Sequence, residues 1–449
     1  MMGASLEHHT IYQIPSQSRH GRPRDQFTIW FSTNMTLLTV VTGALGPTEG
    51  HLSFLNSVLA LLLGSLIGGV FMALHAAQGP ALGVPQMIQS RGQFGSWGAL
   101  PVVAMVIVMY VGFVASNCVV GGDAIHYALP HFTSKTTIIL MALLSLIPCI
   151  FGYKFILSCS KPVTFFTFLA VIICFIQGVV TQGATLMTDL HGTVAGFAQT
   201  FSIAVLWQIS YAPYVSDSSR YLPSNPKTYR ATFWACYGGT VSGSVLAMSL
   251  GAFLAAQSPS ATIIEAIHSL MGAWGVLIVG ILGISIALAN AMDLYCSTLS
   301  TITFFHTFAP LWQPRAPMRI SIGILTLVIA LSSALFMSQA FNTAYAALLD
   351  ILMAVMIPWT AINLVDFYIL RHGNYHVPSF FQPNGGQYGR VNVYALISYS
   401  LGVIVEIPFI NLPFYKGSLL ASLHNVDISW FVSLICSSIT YIIMNRKFQ

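Results

Sequence analysis

The sequence predicts an all-α integral membrane protein of about twelve transmembrane helices, and three observations carry that prediction. Of 449 residues, 55% are hydrophobic and 6% charged, where soluble domains carry about 25% charged residues. The mean hydropathy is +0.76. The apolar residues gather into segments of roughly the 20-residue length that a bilayer requires, and the basic residues gather on one side of the alternation those segments impose.

Twelve segments meet the length criterion: 27–46, 53–78, 97–125, 134–152, 160–182, 196–222, 230–256, 272–307, 317–338, 341–370, 391–411 and 427–445. Several exceed the hydrocarbon core, so tilt, breaks or interfacial ends are expected. With the N-terminus placed in the cytoplasm, the cytoplasmic connections hold Arg19, Arg22, Arg24, Arg91, Lys154, Lys161, Arg220, Lys227, Arg230, Arg315, Arg319, Arg371, Arg390, Arg446 and Lys447. The opposite side holds Lys135 and Lys416. Fifteen against two is a positive-inside bias, and basic residues at both termini support an even number of spans. The expectation is a monomeric multi-pass protein of the plasma (inner) membrane with both termini cytoplasmic. The same distribution excludes nucleic acid as the partner behind the net charge of +5, because the basic residues are topology signals.

The first 26 residues are polar, with no short apolar core and cleavage site, so the first apolar segment is expected to be retained as a span. Seven scattered cysteines without a CxxC read as small buried hydrophobes. The sequence shows no P-loop, nucleotide motif or metal cluster. It is not expected to be an enzyme or to carry a cofactor or metal, and an energy-coupling ATPase would have to be a separate chain.

The first span is oddly polar for a lipid-facing helix: NMTLLTVVTGALGP (34–47) carries Asn34, Thr36, Thr39, Thr42, two glycines and a proline. A helix that breaks midway to offer backbone groups to a ligand needs that composition. The plain alternative is a kinked helix packing through small residues. The break is placed at Thr42–Gly43, with Thr39, Thr42 and Gly43 as site or cation positions; Asn34 and Gly46–Pro47 are assigned to packing and the helix end. The sixth span repeats the theme, with Trp207, Gln208, Ser210 and Tyr211 before an interrupting Ala212–Pro213. Two interrupted polar helices, each opening one half of the bundle, point to an inverted repeat with a midplane site. The predicted organisation is a tail (1–26), a five-helix repeat (27–182), a second, inverted one (196–370) and two additional helices (391–445).

Ionisable residues inside spans are functional candidates. Asp293 sits in the apolar run of span eight with Asn290 on the same face; it either binds a substrate N–H or coupling proton, or is a structural acid between helices. Phe113 and Asn117, one turn apart in span three, suit a flat heterocycle whose ring stacks and whose edge the amide reads, or are a core aromatic beside an interhelical amide. Asp217 and Arg220 are spaced to pair, as an end-of-span ion pair or a gate latch. Asp366 and Arg371 read as end-of-helix charges, Asp123 as the outer end of span three and Glu406 as structural. Residues 79–95, bounded by glycine and proline, read as an amphipathic interfacial helix.

FSTNMTLLTVVTGALGP, GVPQMIQSRGQFG, SNCVVGGDAI, APYVSDSSRYLP and IPWTAINLVDFYILR, in that order, resemble signatures of the nucleobase–cation symporter-1 family, with its purine–cytosine permease branch the nearest subgroup. The resemblance implies a leucine-transporter-like 5+5 inverted repeat with helices one and six broken. It implies a planar substrate held between aromatics of helices three and six and polar groups of helices three, six and eight. By motif match these are Phe113, Asn117, Ser210, Asn290 and Asp293, with Trp207 or Gln208 at the stacking position. Sodium-coupled members carry hydroxyl side chains near Ala289–Asn290, so their absence here favours H+ over Na+ as the coupling ion. The implied function is import of a nucleobase or related heterocycle, such as cytosine or a purine, by cation symport. The alternatives are a transporter of the same fold for allantoin, hydantoin, a thiamine-like compound or an amino acid, or a channel.

Overall fold

The computed structural model describes residues 10–186, 188–314, 316–412 and 414–445; residues 153, 154, 182–186 and 316 enter as backbone only. Arg315, Arg446, Lys447 and the Lys154 side chain, all part of the predicted charge bias, lie outside the described residues.

The described chain is almost entirely helical. In order it forms α1 (Pro23–Asn34), α2 (Leu37–Thr48), α3 (Phe54–Leu82), α4 (Gln86–Phe94), α5 (Leu100–Ala128), α6 (Ser134–Phe151), α7 (Tyr153–Leu186), α8 (Val194–Ile209), α9 (Val215–Ser219), α10 (Pro226–Gln257), α11 (Ile263–Met271), α12 (Gly275–Phe308), α13 (Ala316–Met337), α14 (Phe341–Leu364), α15 (Val393–Glu406) and α16 (Ser429–Asn445). α1 and α2 form one span bent by 60°, and the long apolar helices between α3 and α14 supply most of the others. Each predicted span is matched by one helix or, for spans one and six, by a broken pair.

The helix ends follow from local chemistry. Ser53, Thr133, Thr193, Asn225 and Thr262 each accept a hydrogen bond from a first-turn backbone N–H, at the starts of α3, α6, α8, α10 and α11. α14 continues as a π-helical turn (Val365–Leu370). There Asp366, 2% exposed, accepts from Arg371 Nε at 3.0 Å, Tyr441 OH at 2.9 Å and Tyr375 OH. It is thus a buried junction of α14, α16 and the following loop, rather than an interfacial end charge.

Two sets of helices organise the bundle. α3 packs on α8, and α10 packs on α1 and α2, so the second helix of each half lies against the broken helix of the other. α12 packs on α5, α6 and α7, and α13 on α5 and α6, forming the opposing wall. α15 and α16 pack on each other and on α14.

Three expectations need correction. Residues 79–95 do not form an interfacial helix: every residue of α4 is buried. Its polar side chains find partners within the protein, so no wet face is required. Gln86 Nε2 donates to Gln78 Oε1 at 3.1 Å, and Arg91 donates to Phe380 O, Thr303 O and Thr307 Oγ1. Arg91, Arg220 and Arg319, counted as loop topology charges, are at most 4% exposed. Nor is the described part of the N-terminal segment a simple tail. Ile11 and Ile14 are buried, Ile14 N–H donates to Gly83 O at 2.9 Å, and Arg220 Nη1 donates to Thr10 O at 2.9 Å. This segment straps the arginine-rich face between the end of α3 and α9.

Candidate functional site

The first broken helix opens at Met35–Thr36, seven residues before the predicted Thr42–Gly43. Met35 leaves the helical region (φ −85°, ψ 63°), and Thr36 is extended and caps α2 by accepting from Thr39 N–H. The reason lies in Asn34. Its Nδ2 donates to Trp30 O at 2.8 Å and Thr240 Oγ1 at 3.1 Å, while its Oδ1 accepts from Trp207 Nε1 at 2.7 Å and Tyr211 OH at 3.1 Å. One fully used amide ties the end of α1 to α8, α10 and the second break, which spans residues 210–214 between α8 and α9. Asn34, assigned above to packing, is the hinge post.

A small buried cavity lies where the two breaks meet. Thr33, Thr36, Leu38, Phe113, Asn117, Trp207, Ser210, Tyr211, Tyr214, Ala289 and Asp293 line it. Phe113 and Trp207 meet edge to face at 6.1 Å and 90°. Tyr211 and Tyr214 continue the aromatic wall at 5.8 Å, with Tyr110 behind Tyr214 at 5.3 Å. Asp293 is 7% exposed, with the Tyr214 hydroxyl against its carboxylate. Asn117 is 4% exposed and, among the described residues, its Oδ1 has no hydrogen-bond partner. A buried carbonyl oxygen left unpaired is costly, so this one is a standing demand for an N–H donor.

Five of the expected site residues therefore converge: Phe113, Asn117, Trp207, Ser210 and Asp293. The register in span six is resolved, because Trp207 faces the cavity while Gln208 turns to α10. There Gln208 donates to Ser244 Oγ at 2.6 Å and accepts from Thr240 Oγ1 at 2.5 Å. Asn290 faces α5 and α6, donating to Cys118 Sγ and Ser145 Oγ. Thr39, Thr42 and Gly43 lie inside α2, off the lining. Thr39 Oγ1 pairs with Thr36 Oγ1 at 3.0 Å, and Thr42 Oγ1 pairs with Tyr345 OH at 2.8 Å. A Cβ on Gly43 would fall 1.9 Å from Met248 O, so this glycine is a helix–helix contact. Asp217 and Arg220 lie beyond the cavity toward the arginine-rich face, where Asp217 Oδ1 accepts from Gln86 N–H at 3.0 Å. Thr33 and Tyr214 join the lining without having been singled out, and Thr36 joins it from the polar set of the first span; the second aromatic one turn after Trp207 was the available signal for the tyrosine wall.

The two sides of the cavity are closed unequally. On the face away from the arginines, a cavity of about 400 Å³ is lined by Val41, Thr48, Val120, Asp123, Ala255 and Phe341 among others. Both cavities are lined from α2, the site by Leu38 and this one by Val41, Ala44 and Leu45, with the Thr42–Tyr345 contact on the same stretch of helix. Toward the arginine-rich face stand Trp30, Tyr110 and Tyr214, then α4 and α9, all buried, with Thr10, Ile11 and Ile14 of the N-terminal strap buried against them. A second hydroxyl-bearing pocket adjoins the first break between α1, α7 and α12, lined by Ser32, Thr33, Met35, Ser160, Thr164, Ser285 and Ala289 among others. Thr164 Oγ1 there donates to Ser32 Oγ at 2.5 Å.

Residues 13–433 match the profile of a family described as permeases for cytosine/purines, uracil, thiamine and allantoin. A provisionally named purine-cytosine permease of Bacillus subtilis (strain 168), YxlA, is 37% identical over 98% of this chain and 96% of its own length. The purine-cytosine permease fcyB of Emericella nidulans is 22% identical over 94% of this chain and 84% of its own length. Among solved structures, Mhp1, a nucleobase-cation-symport-1 family transporter, superposes with a TM-score of 0.82 in its closed conformation with bromovinylhydantoin bound. That match covers 99% of this chain and 96% of Mhp1 at 15% identity. The inward-facing conformation of Mhp1 gives 0.78.

Proposed function

Since the chain belongs to the family of permeases for cytosine/purines, uracil, thiamine and allantoin, we propose that it imports a nucleobase or closely related planar heterocycle by cation symport, and that the cavity between the two helix breaks is its substrate site. The family is one of transporters, not catalysts, and the chain is a multi-pass membrane protein. The observation that carries the substrate class is the Asn117 Oδ1, unpaired among the described residues, in a cavity lined also by Asp293 and by the rings of Phe113 and Trp207. A flat ring with N–H groups on one edge meets all three demands: stacking on aromatic faces, donation to the amide oxygen and donation to the acid. An amino-acid zwitterion would bring a carboxylate against Asp293, at a like-charge cost.

In this reading the larger cavity away from the arginines is the entrance, and the arginine-rich face is cytoplasmic with both termini on it. The two five-helix units (27–182 and 196–370) form the inverted repeat, with 391–445 appended. In alternating access, substrate and cation enter under the Thr42–Tyr345 contact, and the Trp30–Tyr214 layer and the N-terminal strap part for release. The free space in the central cavity is only about 20 Å³, so a base enters only as Leu38 and the aromatic wall move apart. The coupling follows from differential binding of substrate and cation to the two states. The proposed cation is H+, carried at Asp293. Na+ is the second reading, favoured by the hydroxyls of Ser32, Thr33, Thr164 and Ser285 next to the first break.

Uptake of radiolabelled cytosine, adenine, hypoxanthine, uracil and allantoin, with and without sodium and a protonophore, tests both parts. Uptake that needs sodium and ignores the protonophore would replace the proton by sodium. Surface-expressed protein that takes up none of these compounds would refute the substrate class. Asn117→Ala is expected to raise KM about five- to thirtyfold, from loss of a hydrogen bond worth ~1–2 kcal/mol, with expression unchanged. Tyr345→Phe keeps the ring stacked on Phe341, now at 5.4 Å and 8°, and deletes one hydrogen bond. It is expected to favour the open entrance by roughly fivefold, from ~1 kcal/mol. The readout is faster labelling of a Leu38→Cys background by a membrane-impermeant maleimide.

A further inference from the structure

Glu406 plays no part in the site above, and its surroundings are not those of a merely structural acid. It ends α15, 1% exposed, and among the described residues neither of its carboxylate oxygens has a hydrogen-bond partner. Facing it on α16 are Ser433 and Ser437, both fully buried, whose hydroxyls are also unpartnered. The three side chains converge on one notch. A Cβ on Gly402, one turn before Glu406, would lie 2.0 Å from Ser437 Oγ and 3.3 Å from Ser433 Oγ. Helical side chains lean toward their own N-terminus, so the Glu406 carboxyl leans back toward Gly402, and Ser433 adjoins it. Pro358 of α14 forms the third wall, its Cβ 2.9 Å from the same point. Having no N–H, Pro358 gives no hydrogen bond to the Ala354 carbonyl one turn earlier. Below the notch, Ser398 adds another buried, unpartnered hydroxyl.

Among the described residues no basic group pairs with this acid. The charge that acts on Glu406 is Asp427, itself an acid and in turn close to Asp350. The Asp427 oxygens are taken by Asn411 N–H and Ser429 N–H, each at 2.8 Å. A lone carboxylate inside a membrane protein needs a counter-charge or a proton. Protonation removes the charge and lets the carboxyl pair with the adjoining Ser433 hydroxyl, but it leaves the Ser437 hydroxyl unused.

We propose that the Gly402 notch between α14, α15 and α16 binds a monovalent metal cation through the Glu406 carboxylate and the Ser433 and Ser437 hydroxyls. Hard oxygen donors suit an alkali cation, and a single carboxylate balances a single charge. The site is separate from the substrate cavity and does not depend on what that cavity carries.

The test is the melting temperature of the purified protein in detergent, in NaCl, KCl or choline chloride at equal ionic strength and pH. One alkali salt is expected to raise Tm above choline by about 3 °C or more, saturably, as for a ligand that binds only the folded state. Glu406→Gln is expected to lose the shift. Ser433→Ala with Ser437→Ala is expected to lose it too, and serves alone should the Glu406 variant not fold. Asp293→Asn is expected to keep it. Equal Tm in the three salts, a shift that survives the paired serine replacement, or a shift lost in Asp293→Asn would each overturn the assignment.

Discussion

Asp293→Asn is expected to reduce nucleobase uptake at least about thirtyfold while leaving surface expression near wild type. The side chain is 7% exposed, lines the cavity and faces the Tyr214 hydroxyl. Asparagine preserves its size, so packing in α12 is kept, but it carries neither the negative charge nor a transferable proton. Loss of a charged hydrogen-bond acceptor costs ~2 kcal/mol or more, which is the stated factor. If the acid also carries the coupling proton, the residual uptake loses its response to external pH and to a protonophore. Asn290→Ala makes the contrast. Asn290 donates to Cys118 and Ser145, away from the cavity, so its replacement is expected to lower stability and leave KM within about twofold. Full uptake by Asp293→Asn would remove this residue from the site.

Gly43→Val is expected to destabilise the protein by ~3 kcal/mol or more and to prevent α2 from seating. A Cβ at Gly43 would lie 1.9 Å from Met248 O and 2.4 Å from its Cα, and the facing glycine on α10, Gly251, would place one 1.7 Å from Val40 O. Backbone meets backbone here, so no rotamer change relieves the clash. Close approach through small residues is how helices associate in lipid, and here it presses the second half of the first broken helix against α10. Gly280→Ala is the control, since nothing lies within 4 Å of its Cβ position. The measurement is thermal unfolding in detergent together with surface expression. A Gly43→Val protein with wild-type melting would show that α2 does not depend on that contact.

These two residues mark where the sequence was readable. Asp293 announced itself, because an acid in an apolar run has few explanations in a bilayer. Gly43 was read as the point of unwinding, on the sound premise that glycine is permissive; the structure uses it instead because it is small. The unwinding falls at Met35–Thr36, where Asn34 holds the end of α1 with groups from α8, α10 and the second break. The Thr36 cap is a local mark of the break, but three of the hydrogen bonds that fix Asn34 beside it come from residues more than 170 positions away. The second break was legible for a local reason: Pro213 cannot continue the hydrogen-bonding of α8.

The sequence by itself determined the class of protein, the spans, the two interrupted helices and the residue types of the site. All of these follow from composition and runs along one dimension, and from the demand that backbone polar groups in a membrane be satisfied within the helix. Only the tertiary structure decided which polar residues face the cavity and which pay for packing. It sent Trp207 inward and Gln208 to α10, buried α4 by pairing its glutamines with Asn363, Gln78 and Tyr375, and left Asn117 Oδ1 and the Glu406 oxygens without partners among the described residues. Facing is a property of pairs far apart in the chain, such as Gln78 with Asn363 at 285 positions, and a polar residue reads alike in sequence whether its partner is a neighbouring helix or a ligand.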